Sequence, residues 1–207
     1  MKPSRTEAFS DGVFAIAATL LVLDVHVPVA NGTLLSAVLD AWPAYASYAV
    51  SFITIGIIWI NHHAIFDQLR QVDRVLLVLN LLLLLFVALI PFPTTLLATY
   101  LQAGHDEAVA GATYGVAMTL MGLAFGTLWA YVLWSDGLHS VKIDPARKRR
   151  LLLRFAAGSP VYAAGIVVAL VNAKISLLIY AALAIYYLWA PIPIRGSTGP
   201  QQRGQHT

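Results

Sequence analysis

The sequence predicts an all-α integral membrane protein with six transmembrane helices. Three observations carry this. Of its 207 residues, 59% are hydrophobic and 11% charged, whereas a soluble domain carries about a quarter charged residues. Six apolar stretches approach or exceed the about 20 residues that a spanning helix needs. The leucine run Leu81–Leu85 shows no period-2 alternation, which argues against a membrane barrel and for helices that pair their own backbone groups.

The first stretch, Phe9–Val25, is slightly short. It follows a segment containing Asp11 and has no small-residue cleavage site before Pro28, so it reads as a retained span and not a signal peptide. The second and third run from Ala41 to Ile60 and from Val75 to Leu97. Pro91 and Pro93 fall inside the third and must break its hydrogen-bond ladder, which neighbouring groups in a bundle can repair. The fourth, Ala108–Trp134, is long enough to tilt or project. The fifth and sixth are Leu151–Val171 and Ile175–Ile194. Residues 1–195 form one helical domain, and the Gly- and Gln-rich tail 196–207 is expected to be disordered. The segment Ser135–Arg150 reads as a loop or hinge.

Basic residues fix the orientation. Lys2 and Arg5, Arg70 and Arg74, Lys142 with Arg147 to Arg150 and Arg154, and Arg195 with Arg203 all fall on one side. The opposite connections hold only Lys174 among basic residues, with Asp40, Asp106 and Glu107. Both termini are therefore expected in the cytoplasm, with the chain in the cell membrane. The basic run Arg147–Arg150 is a topology signal and not a nucleic-acid patch. The absence of cysteine excludes disulfides, thiolate metal sites and cysteine catalysis. Asn31-Gly32-Thr33 matches a glycosylation sequon, a short and weak motif.

The first helix carries the chemistry. At about 100° per residue, Gly12, Ile16, Thr19, Leu20 and Leu23 form one stripe, with Ser10 and Asp11 on the far side. From Ile16 to Leu23 the rise is roughly 10 Å. Such stripes from several helices would make a hydrophobic constriction with a threonine layer; a single stripe is equally the face of ordinary helix packing. Asp11 at membrane depth needs a partner, and a network of Arg5, Ser10, Asp11, Asn61 and His62 or His63, with Phe9 and Trp59 in the same motif, would supply it. This network is either an interhelical lock, a cation site or a proton relay. In the relay version, Asp11 and His62 drive a proton-coupled secondary transporter. Asp24 and His26 stand at the outer mouth, where an acidic group concentrates cations, or merely end a helix in water. His63 and Asp67 are four apart on a helix, but two ligands fall short of a metal site, and no metal or cofactor is expected. No TVGYG filter, regularly spaced arginine sensor, phosphate loop, GxSxG or HExxH occurs, so a voltage sensor and an enzyme are not indicated.

The string Arg5-x-x-x-Phe9-Ser10-Asp11-Gly12-Val13-Phe14-Ala15-Ile16-Ala17-Ala18-Thr19-Leu20 closely resembles the signature of the transmembrane protein 175 family. These are potassium-permeable channels of lysosomes and of bacteria and archaea. The resemblance is strongest over residues 5–28. It extends to Trp59-x-Asn61-His62 and to the proline-broken third helix. One signature and six spans match the prokaryotic type; the eukaryotic type carries two such units. The resemblance implies a homotetramer in the bilayer, with helix one of each subunit lining a central pore for monovalent cations, K+ preferred. It implies hydrophobic layers at Ile16, Leu20 and Leu23, a polar position at Thr19, and Arg5, Ser10 and Asp11 tying helix one to its neighbours.

Overall fold

The computed structural model describes residues 2–23, 25–27, 33–135, 137–138, 145–156 and 158–189. These form helices α1 (Pro3–Leu23), α2 (Leu34–Asp40), α3 (Trp42–Phe66), α4 (Arg74–Leu89), α5 (Pro91–Ala103), α6 (Glu107–Trp134), α7 (Pro145–Ala156), α8 (Gly158–Val171) and α9 (Ala173–Trp189). Among the described residues, four stretches are long and apolar enough to cross a bilayer: α1, α3, α4 with α5, and α6. Helices α8 and α9 are apolar but shorter. Large apolar side chains such as Val78, Leu85, Leu123, Val167 and Leu178 face outward, as they do where the surrounding medium is lipid.

The prolines act as expected. The ladder of the third span ends at Leu89, and Pro91 opens α5, where a missing N–H costs nothing. The turn tightens there, with Ile90 N–H donating to Val87 O at 3.2 Å. Beside this break lies a buried hydroxyl chain. Thr94 Oγ1 donates to Ile90 O at 2.8 Å. Its oxygen must then accept from Ser51 Oγ at 2.8 Å, which accepts from Tyr114 Oη at 3.0 Å. One proton per hydroxyl fixes these directions. The chain links α3, α5 and α6 with each hydroxyl partnered.

At the start of α4, Asp73 is the N-cap. Its Oδ1 accepts from Leu76 N at 2.8 Å, and its Oδ2 accepts from Tyr131 Oη on α6. Slight burial pushes this carboxyl up, but the donors Tyr131, Leu76 and Val75 outweigh it and hold the group below the usual carboxylate range.

Helix α6 is central. It packs most extensively on α8 and also touches α4, α5, α7 and α9. The α6–α8 approach relies on missing side chains. A Cβ on Gly115 would stand 2.3 Å from Tyr180 Oη, and one on Gly165 2.3 Å from Tyr180 Cε1. The buried Tyr180 ring is thus gripped between two glycines, the small-residue packing common in membrane bundles.

Two expectations change. The seven-residue α2 was expected as connection; Thr33 starts it by accepting from Ser36 N at 3.2 Å. The basic run Arg147–Arg150, expected in a loop ending at Arg150, lies within α7. Pro145 suits a first helical position, and Arg and Lys are strong helix formers. The tail 196–207 lies outside the described residues.

Candidate functional site

Helix α1 has two unlike faces. Thr6, Ser10, Phe14, Ala17 and Leu21 recur every three or four residues and are buried against α3 and α4. The opposite face carries the predicted stripe. Ile16 is 61% exposed, Leu20 42% and Leu23 66%. Gly12 and Thr19 are exposed with them, and the position of a Gly12 Cβ is open space. The single Thr19 hydroxyl proton is shared between Ala15 O at 2.9 Å and Ile16 O at 3.0 Å. The hydroxyl thus spends its proton on its own helix, and its lone pairs remain free to face outward. Of the four long spans α1 is the least buried, at 28% against 50% for α3 and α6. Phe9, 58% exposed, extends the open face toward the N-terminus.

The expected polar network is divided in two. The inner part is a relay through Asn80 of α4. Ser10 Oγ donates to Thr6 O at 2.9 Å, so it must accept from Asn80 Nδ2 at 3.0 Å. That fixes the amide. Asn80 Oδ1 is then the acceptor from His62 Nε2 at 2.8 Å, and His62 carries its proton on Nε2. Ser10, His62 and Asn80 are all buried. Phe14 and Phe66 flank the imidazole, with centroids 5.4 and 4.3 Å away.

The outer part belongs to Asp11. Trp59 Nε1 donates to Asp11 Oδ1 at 2.8 Å. One turn along each helix, Glu7 meets His63, and the Trp59 and His63 rings stack at 6.0 Å. Helices α1 and α3 thus run antiparallel in a fixed register, as expected for two spans that meet at one membrane face.

Several expectations are corrected. Arg5 is exposed and forms no ion pair among the described residues. Asn61 faces away from α1 and lines a small cavity with Ser159, Tyr162 and Tyr187. A helix turns about 100° per residue, so Asn61 and His62 cannot share a face. No hydrogen bond joins Asp11 to His62 among the described residues. Asp24 lies outside the described residues. Asn80 was missed, although its signal was present: it is the lone polar side chain from Val75 to Ile90. A buried amide in an apolar span must find partners.

Comparisons with known proteins bear on the whole chain. A family model described as endosomal/lysosomal potassium channel TMEM175 matches residues 5–91. A potassium channel of Streptomyces collinus is 44% identical over 200 residues, covering 95% of this chain and 97% of that protein. The endosomal/lysosomal proton channel TMEM175 of Gallus gallus is 32% identical over 148 residues, 67% of this chain but 28% of that protein. Among solved structures, a lysosomal potassium-selective channel TMEM175 homolog from Chamaesiphon minutus superposes with a TM-score of 0.81 at 33% identity. It covers 91% of this chain and 97% of that one.

Proposed function

The chain belongs to the TMEM175 family, and from that premise we propose that it is a passive, potassium-preferring cation channel. The family is one of ion channels, not enzymes. The observation that carries the proposal is the open stripe of α1, a row of apolar side chains around Thr19 that the chain's own bundle leaves uncovered. In a homotetramer, four copies of this stripe enclose a central pore. Ile16, Leu20 and Leu23 form its hydrophobic constriction, and such constrictions gate by dewetting. The Thr19 oxygen is the polar contact for a partly hydrated K+, since its proton is already committed. The buried stripe and the Trp59 contact hold α1 in place. Potassium is favoured over protons because the Streptomyces collinus relative, matched over almost its full length, is a potassium channel.

The chain crosses the cell membrane six times, the apolar end of α7 together with α8 supplying the fifth crossing and α9 the sixth, with both termini cytoplasmic by the placement of basic residues. No cofactor is required; K+ is the permeant ion. The proton-coupled alternative is disfavoured, because Asp11 is held by Trp59 and His62 by Asn80. The test is a subunit count with potassium flux in reconstituted liposomes. A tetramer that passes K+ without any coupling gradient is expected. Flux that requires a proton or sodium gradient sinks the channel reading.

A further inference from the structure

The basic turn of α7 carries chemistry that ion passage does not use. No Asp or Glu occurs in the chain after Asp144, yet Arg147, Lys148, Arg149 and Arg150 follow it closely. All four lie on α7, which packs on α6 and α8. Two contacts fix the helix. Leu152 is packed against the core. Lys148 Nζ stands over the ring of Trp134, the last residue of α6, at 5.6 Å from its centroid. A cation is attracted to an indole face. Trp134 is itself 60% exposed, and a tryptophan at the end of a spanning helix sits at headgroup level. The basic turn is therefore held at headgroup depth.

The outer face of α7 has an ordered polarity. Arg149 and Arg150 are exposed and form no ion pair among the described residues. Leu153 follows them by four and three residues, so it shares their face one turn further along. It is 60% exposed. One turn is about 5.4 Å. Because α7 runs on into the fifth crossing, the leucine stands deeper than the arginines. Cations above an exposed apolar side chain match a phosphate above an acyl chain. A topology signal needs only charge beside a span, not this order on a fixed face.

We propose that this face of α7 binds an anionic phospholipid, with Arg149 and Arg150 on its phosphate and Leu153 along the start of its acyl chain. The guanidinium fork fits phosphate oxygens in pairs. Free phosphate shares the head chemistry but has no use for Leu153, so the lipid is the occupant. The site rests on the chain's place in a bilayer and not on which ion passes.

The test measures lipid binding to the purified full chain in detergent by native mass spectrometry. Dioleoyl-phosphatidylglycerol is compared with dioleoyl-phosphatidylcholine, and glycerol phosphate is added as a soluble competitor. The variants are R149Q/R150Q and, as a control, Arg70→Gln, an exposed arginine on the same basic side. All three side chains are exposed, so the variants keep the fold. The unaltered protein should prefer the phosphatidylglycerol. R149Q/R150Q should weaken that binding about 25-fold, about fivefold for each charge, and Arg70→Gln should leave it unchanged. Equal affinity for the two lipids, or as large a loss in Arg70→Gln, overturns the site and leaves a general surface charge. Displacement of the lipid by equimolar glycerol phosphate overturns it in favour of a free-phosphate site. Potassium flux is not read in this experiment.

Discussion

The indole N–H of Trp59 reaches Asp11 Oδ1 at 2.8 Å, so the acidic group of helix one is held by a neutral donor and not by an arginine. The contact sits at the α1–α3 seam, opposite the open stripe. Removing the donor alone, as in Trp59→Phe, keeps an aromatic ring at the seam and strands the carboxylate. A hydrogen bond to a charged group contributes about 1.5–3 kcal/mol, and the half-exposed setting places this one near the lower end. A lower unfolding temperature in detergent is expected, with assembly impaired before ion preference. An assembled variant with altered ion preference would move Asp11 from anchor to ion site.

The relay through Asn80 is predicted to be strongly coupled. Asn80→Leu leaves Ser10 and His62 buried without their partner, and a buried unsatisfied group costs about 1–3 kcal/mol. Combining Asn80→Leu with His62→Phe removes both ends of one bond. A double-mutant cycle should return a coupling of about 1 kcal/mol or more. Simple additivity in denaturant titrations would show that the two side chains act alone.

The Tyr180 grip makes a sharper case. Gly115→Ala drives a Cβ into Tyr180 Oη and Ile166, and Gly165→Ala drives one into the ring itself. Overpacking of this kind costs about 1–3 kcal/mol. Tyr180→Phe deletes only the hydroxyl. It should partly rescue Gly115→Ala and leave Gly165→Ala unrescued, as read by thermal unfolding. Equal rescue of both would mean that the ring moves freely.

Acid should weaken the protein through Asp73. Its carboxyl is held below the usual range by Tyr131 and backbone donors. A depressed folded-state pKa gives stability that is complete above the unfolded carboxylate value and is lost as pH falls through the folded one. Asn is an equally good N-cap. Asp73→Asn should therefore flatten this part of the acid limb in unfolding curves against pH. Superimposable curves would show that the carboxylate charge contributes nothing.

Ile16→Asn tests the stripe. A polar side chain wets a hydrophobic constriction. Potassium flux should rise on the order of tenfold, equivalent to ~1.4 kcal/mol off the barrier, with weaker discrimination against sodium. Unchanged flux and selectivity would remove Ile16 from the pathway.

Much of the site was legible in the sequence because a helix dictates its own faces. The period of α1 alone puts Ile16, Thr19, Leu20 and Leu23 on one side, with Asp11 on another, and the structure keeps that division. The proline break at Pro91 was legible for the same reason, since a missing N–H is a local fact. Partner choice was not legible. The expected set of Arg5, Phe9, Ser10, Asp11, Trp59, Asn61 and His62 held Asp11 with its partner Trp59 and both ends of the Ser10–His62 link, but equal depth could not say which groups would meet.

Composition and periodicity by themselves determined a helical membrane chain, the approximate course of its main spans and the two faces of helix one; the ends differ, with α1 starting at Pro3 and α3 running on to Phe66. Only the tertiary structure decided that Asp11 pairs with Trp59, that Asn80 joins Ser10 to His62, and that Glu7 meets His63. The physical reason is one of range. Burial and periodicity act within a single helix. A hydrogen bond between helices depends on register and on which donors and acceptors are already committed, as the spent protons of Ser10 and Thr94 show.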